Sequence, residues 1–268
     1  MSARAATSNG ERRPVSACII SRDEALHIAD CIASVSFADE VVVVDSGSTD
    51  RTREIAHELG ARVIEQEFLG HVLQKQLAVD SAAHDWVFCI DADERVDPAL
   101  ASEIEAALSS RDDVPGYEVA RHTFYLGRFI DHGGWWPEWR LRLFDRRRGR
   151  WGGTDPHDHV ELEGSSRRLG GEMTHFNYRD LSHHVTKIDA YSTIIAARRV
   201  EAGERASILK LLTRPPFRFL KMYVLKGGFR DGARGFIVAW MGAFYVFMKY
   251  AKLWERRHVA TGDERTDG

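Results

Sequence analysis

Short apolar runs alternate with helix-like segments along the first half of the chain. "VSACIIS" (15–21) is a compact apolar run, and "EVVVVDS" (40–46) is continuously β-branched, the pattern of a strand covered on both faces. "ARVIEQ" (61–66) and "WVFCID" (86–91) complete a set of four strands. Between and after them, "EALHIADCIASV" (24–35), "STDRTREIAHELG" (48–60), "HVLQKQLAVDSA" (71–82) and "DPALASEIEAAL" (97–108) read as helices. Asp23 is placed to cap the first, Gly60 to end the second, and Asp97 to cap the fourth with Pro98 in its first turn. Strands and helices alternating at this pitch predict right-handed crossovers and a mostly parallel sheet with helices on both faces.

The pattern changes after residue 115. "GYEVARHTFYLG" (116–127) and "WRLRLFDR" (139–146) alternate as antiparallel strands do. "DHGGWWPEW" (131–139) and "RWGGTDPHDHVELEG" (150–164) read as loops, and from about residue 181 the chain reads as helix. The expected plan is a tail over 1–13, an α/β domain over 14–181 divided at 115/116, a helical extension over 182–256, and a tail over 257–268. The 14-residue oily run "GFIVAWMGAFYVFM" (235–248) lies inside that extension. It is shorter than the about 20 apolar residues a membrane-spanning helix needs. Just before it, residues 198–234 hold ten Lys or Arg against three acids. Cations beside a short apolar, aromatic helix suit a segment lying in the interface of an anionic membrane.

Composition narrows the function classes. A formal net charge of −3 over 268 residues disfavours nucleic acid as the main partner. Cys18, Cys31 and Cys89 share no metal-type spacing and read as small buried thiols. The first residues contain no apolar secretory run, which points to a cytoplasmic setting.

Ligands of open parallel sheets bind at the carboxyl ends of strands. Three strands end there in polar groups: Ser21-Arg22-Asp23, Asp45-Ser46-Gly47-Ser48 and Asp91-Ala92-Asp93. Neither a G-x-G-x-x-G turn nor a phosphate-binding G-K-[ST] loop is present, so a nucleotide held by carboxylates is the better reading. Asp45 can accept from a base or ribose, Asp91 from ribose, and Asp93 can bind Mg²⁺ or Mn²⁺ bridging two phosphates. Three carboxylates crowded at Asp91, Asp93 and Glu94 repel one another and require compensation, by water or by a divalent cation. In the 131–139 loop, Trp135 and Trp136 suit the flat faces of sugars and Arg140 suits a phosphate, so acceptor binding is expected there. Core packing is the rival reading for each Trp.

The blocks "CIISRDEALHIADCIAS", "VVVVDSGSTDRT" and "WVFCIDADERV" resemble the signature blocks of family 2 glycosyltransferases with the GT-A fold. The similarity is greatest to the lipopolysaccharide-core β-glucosyltransferase subgroup. It implies inverting transfer from a nucleoside-diphosphate sugar, UDP-glucose above others, to a lipid-linked saccharide at the inner face of the membrane. It brings Glu24 into the donor site and departs from the subgroup at Asp23, where Asn is usual. The general base is expected in "DPHDHV" (155–160): Asp158 first, with His157 and Asp155 as runners-up and His157 otherwise on the acceptor side. His175 is a candidate second metal ligand, with a structural or acceptor-side role as its alternative. Lys75 is either a cation near the diphosphate or a solvated helix lysine. Asp45→Ala is expected to weaken UDP binding without lowering the unfolding temperature. The alternatives are a sugar-1-phosphate nucleotidyltransferase, disfavoured by the glycine-free first block, and a non-catalytic sugar-binding protein on the same fold.

Overall fold

A computed structural model describes residues 12–154, 157–205 and 207–259. Asp155 and most of both expected tails lie outside the described residues. The chain divides into two compact units, one running to Arg121 and resuming over Glu138–His175, the other made of His122–Pro137 and the chain from Phe176.

The first unit carries a mixed sheet in the order β3-β2-β1-β4-β8-β6-β11-β5. Its parallel half is β1 (Val15–Ser21), β2 (Glu40–Asp45), β3 (Arg62–Glu65) and β4 (Trp86–Asp91). The boundaries of β1, β2 and β4 fall where the apolar runs end, because those runs are buried, whereas β3 is the partly exposed edge strand. Ser21 stands opposite Asp45, and Ile20 opposite Asp91, so three polar strand ends meet at one edge. The antiparallel half is β5 (Glu94–Val96), β6 (Gly116–Tyr125), β8 (Glu138–Asp145) and β11 (Arg167–His175). The short β5 sets Glu94 opposite His175. Helices α1 (Ile28–Ser34), α2 (Thr52–Glu58), α3 (His71–Asp80) and α4 (Pro98–Ser109) connect the strands. Apolar residues pack on both faces of the sheet: Ile19, Phe88, Ile90 and Leu100 in one cluster, Val44, Val87, Phe144 and Trp151 in the other. Cys18, Cys31 and Cys89 are free, buried thiols, as expected.

Two local readings hold and two are corrected. Asp97 caps α4, its carboxylate accepting from Leu100 N at 2.6 Å, and Gly60 closes the turn after α2 at φ +82°. Asp23 does not cap a helix. α1 begins only at Ile28, and Asp23 sits at φ +53°, with Oδ1 accepting from Thr49 N at 2.7 Å. A short polar side chain that bonds locally tolerates that left-handed backbone. The stretch expected as a loop over 150–164 is a two-stranded ribbon, β9 (Gly149–Thr154) with β10 (His157–Leu162). Its glycines hid the alternation: Gly153 sits at φ +87°, where a Cβ would meet the His157 carbonyl oxygen at 2.6 Å, so the backbone there requires the glycine.

The second unit is mainly helical, and the two-residue strand β7 (Arg128–Phe129) pairs there with the end of β6. Its helices are α5 (Leu181–Glu201), α6 (Ile208–Leu220) and α7 (Gly232–His258), with a π-helical turn over Lys221–Leu225 and a 3-10 turn over Gly228–Asp231. Tyr125, Ile130, Met222, Val238 and Ala239 form its core. The stretch Gly228–His258 has the length and apolarity to cross a membrane by composition alone.

Candidate active site

The loop after β1 and the turn after β2 are laced together. Ser21 Oγ donates to Asp45 Oδ2 at 2.8 Å, Ser48 N donates to Asp45 Oδ1 at 2.8 Å, and Ser48 Oγ donates to Oδ2 as well. Asp23 N donates to Ser48 Oγ, Glu24 N to Thr52 Oγ1 and Ala25 N to Asp50 Oδ2. Gly47, at φ +77°, makes the turn possible and has open space around it. Asp45 is fully buried, with both oxygens occupied by these donors. Its visible work is to hold the turn, so the expectation that Asp45→Ala would leave the unfolding temperature unchanged is corrected. The Asp23 carboxyl lies below its usual range, chiefly because the Thr49 backbone N–H donates to it.

At the end of β4, the compensation for the carboxylate cluster comes from side-chain cations. Arg142, buried on β8, places Nη2 at 2.7 and 2.9 Å from the two oxygens of Glu94 and at 3.2 Å from Asp91 Oδ2. Arg121 on β6 reaches Glu94 Oε1 at 3.1 Å and Glu138 Oε2 at 2.6 Å. Glu94 itself is fully buried and accepts from Asp91 N at 2.9 Å, closing the turn between β4 and β5. Burial raises the Asp91 carboxyl, but Lys75, Arg142 and Arg121 outweigh it and hold it well below the usual range.

Lys75 is buried, not solvated. Its Nζ lies 3.1 Å from Asp91 Oδ1 and 2.8 Å from Asp158 Oδ2, and 4.7 Å from the centre of the Trp151 ring. One ammonium therefore joins the strand-end carboxylate to the carboxylate of the ribbon. Burial disfavours its charge, yet Asp91 and Asp158 outweigh that and raise its pKa. Burial likewise pushes Asp158 up, while Lys75 pulls it down further, so Asp158 is ionised at neutral pH. Alternation along β10 points Asp158 inward and leaves His157 exposed.

Asp93 and His175 are neighbours: Nε2 of His175 is 3.5 Å from Asp93 Oδ2. His175 is buried, and its Nδ1 has no hydrogen-bond partner. No group of three or more His, Cys, Asp or Glu suited to a metal occurs among the described residues. Two protein donors still fit Mg²⁺ or Mn²⁺, which bind through one or two side chains together with substrate phosphates.

The expected acceptor residues are divided between the units. Arg140, in the first, pairs with Glu138, as Arg121 does. Trp135 and Trp136 belong to the second. Trp135 packs against Tyr125, Tyr178 and His184, and Trp136 stacks on His122 with ring centres 4.0 Å apart.

Sequence reasoning passed over Arg121, Glu138 and Arg142. The signal was an arginine inside each alternating strand, at "VARHTF" and "RLRLFD", which reads as a solvated face until the partner carboxylates are placed.

The family model described as Glycosyl transferase family 2 matches residues 16–164. Lipopolysaccharide core biosynthesis glycosyltransferase LpsC of Rhizobium meliloti is 34% identical over 255 residues, covering 91% of this chain and 93% of that protein. An uncharacterized glycosyltransferase of Rickettsia typhi is 32% identical, covering 91% of this chain and 87% of that one. Among solved structures, a mannosyltransferase of Pyrobaculum calidifontis, in complex with GDP-Man and Mn²⁺, superposes with a TM-score of 0.54 at 16% identity, over 91% of this chain and 87% of that one. That likeness concerns the fold, which is GT-A-like: a curled α/β sheet with its polar strand ends gathered at one edge. The chain is a glycosyltransferase and belongs to glycosyltransferase family 2.

Proposed function

We propose that this glycosyltransferase moves a hexose, with inversion, from a UDP-hexose to a lipid-linked saccharide such as a lipopolysaccharide core. UDP-glucose is the favoured donor. The observation that carries this reading is the Asp91–Lys75–Asp158 bridge, which ties the strand-end carboxylate to an ionised carboxylate on a separate ribbon. An inverting displacement needs that pair of features: a nucleotide site and a base on the opposite side of the sugar.

Nucleotide binding falls to the edge formed by Ser21, Asp23, Glu24, Gly47, Ser48 and Asp91, with Asp45 holding the turn. Asp93 and His175 would hold Mg²⁺ or Mn²⁺, which when bound supplies charge to stabilise the leaving diphosphate. Asp158 takes the proton of the acceptor hydroxyl as that oxygen attacks the anomeric carbon. Asp158 is shorter by one methylene than Glu, so its placement depends on the Lys75 contact. A positioning error of about 1 Å costs about a hundredfold in rate. Arg140 and His157, both in the first unit, are proposed to meet the acceptor. A lipid-linked acceptor sets the reaction at the inner face of a membrane, and the relative named for lipopolysaccharide core synthesis supports that acceptor class.

The test is release of UDP from a panel of UDP-hexoses, with membranes bearing truncated lipopolysaccharide, comparing the intact enzyme with Asp158→Asn. Donor affinity should be retained and transfer lost. Equal loss of UDP affinity and rate would make the ribbon structural and remove Asp158 as the base.

A further inference from the structure

α6 is a 13-residue helix with no buried residue. Lys210, Arg214, Arg218 and Lys221 fall at spacings that place them on one face. Leu209, Leu212, Pro216 and Leu220 fall on another, and the three leucines are 71%, 65% and 53% exposed. An apolar face so open on an otherwise cationic helix has no counterpart in the core of a water-soluble domain.

α7 continues the same character. Phe236, Trp240, Phe247 and Trp254 recur at helical spacing along one stripe, and all four are exposed. Phe219 of α6 packs edge-on against both Phe236 and Trp240, with ring centres 5.6 and 5.9 Å away, so the two helices share one apolar surface. Between them Val224, Leu225 and Phe229 are exposed as well.

We propose that the outward faces of α6 and α7 form a docking surface that lies in the plane of an anionic lipid leaflet. The aromatic stripe and the α6 leucines sink to the headgroup boundary, and Lys226 and Arg230, exposed in the turns beside Leu225 and Phe229, meet lipid phosphates. This rests on the membrane location proposed above and names the surface that makes the contact.

Two other arrangements fit less well. A bilayer-crossing α7 is opposed by the other side of that helix. Lys252 Nζ bonds Asp189 Oδ1 at 2.7 Å, and Arg257 Nη2 bonds Val200 O at 2.9 Å, both on α5. Crossing would carry polar α5 into hydrocarbon, and the uncharged run of 14 residues rises only about 21 Å against the about 30 Å of a bilayer core. A symmetric pairing of two copies through this face would bring together two basic segments, each with ten Lys or Arg against three acids over 198–234. Like charge opposes that contact, whereas anionic lipid neutralises it.

The test is co-sedimentation of the intact protein with phosphatidylcholine vesicles and with vesicles carrying 30% phosphatidylglycerol. The protein should bind the anionic vesicles, and alkaline carbonate should release it. Leu209→Glu/Leu212→Glu, and separately Trp240→Ser/Phe247→Ser, should each weaken anionic-vesicle binding at least about tenfold, with thermal unfolding confirming that the variants fold. No binding by the intact protein would overturn the membrane location itself. Intact binding unchanged in both variants would leave that location standing and overturn this surface. Retention after carbonate would mean a span. A lipid-independent dimer that the variants dissociate would assign the surface to a second copy.

Discussion

The two units place charge and oil in opposite ways. The first buries acidic and basic side chains: Glu94, Asp45, Arg142 and Lys75 all lie inside it, matched in pairs and networks. The second is built around stacked aromatics, with Tyr178 on His184 at 3.7 Å between ring centres, and it exposes most of the molecule's uncovered large apolar residues. Taking a charge out of water costs several kcal/mol unless a partner is fixed beside it, so such side chains are buried in matched sets. An exposed apolar stripe is unfavourable in water and is relieved by a partner surface. The contrast separates the part proposed to perform the chemistry from the part proposed to lie on lipid.

The largest expected effects break the first unit's chemistry. Asp93→Asn and Asp158→Asn should each reduce transfer about a thousandfold, while UDP binding measured by calorimetry without metal changes less than about threefold. A variant retaining near-normal turnover would remove its residue from the mechanism.

Glu94→Ala comes next. It strands Arg142 and Arg121 in a buried setting, and removing one member of such a network costs about 3–5 kcal/mol. Denaturant unfolding should show that loss. A change under about 1 kcal/mol would mean that water reaches the arginines.

In the second unit the corresponding test is pH. Burial, with Lys187 and His183 adding to it, lowers the His184 pKa from 6.5 to about 4. Tyr125 Oη lies 3.0 Å from Nδ1 of the neutral ring. The unfolded chain binds that proton more readily, so the stabilisation is fully present above pH 6.5 and is lost as pH falls toward 4. The loss amounts to about 3 kcal/mol over that window. His184→Gln should flatten this part of the stability–pH curve, and an unaltered slope would place the titration elsewhere.

Asp45→Ala should lower stability by about 2 kcal/mol, since it leaves Ser21 Oγ and Ser48 N without their acceptor. The smallest effect is at the surface. Leu212→Glu should change the unfolding free energy by no more than about 0.5 kcal/mol, because the side chain is already in water. A larger loss would show that α6 is held by its apolar face and would blur the contrast between the units.

Periodicity alone located β1, β2, β4 and α4, because their burial is dictated by local composition: continuous β-branched runs, and an Asp-Pro start that fits only a helix N-terminus. It also brought three polar strand ends to one edge, since parallel strands of similar length must finish together. The ribbon β9–β10 was not legible, because Gly149, Gly152 and Gly153 interrupt the alternation that marks a strand. The same holds for the site's electrostatics. The sequence shows Asp91, Asp93 and Glu94 as an excess of negative charge needing a partner. Which partner is decided by tertiary structure alone, where β6, β8 and α3 bring Arg121, Arg142 and Lys75 to within hydrogen-bonding distance from positions 16 to 51 residues away. Likewise, ten cations beside an oily run mark a basic segment, but only packing decides which of its apolar residues are covered. Local propensity acts through neighbours in sequence; charge compensation and exposure depend on neighbours in space.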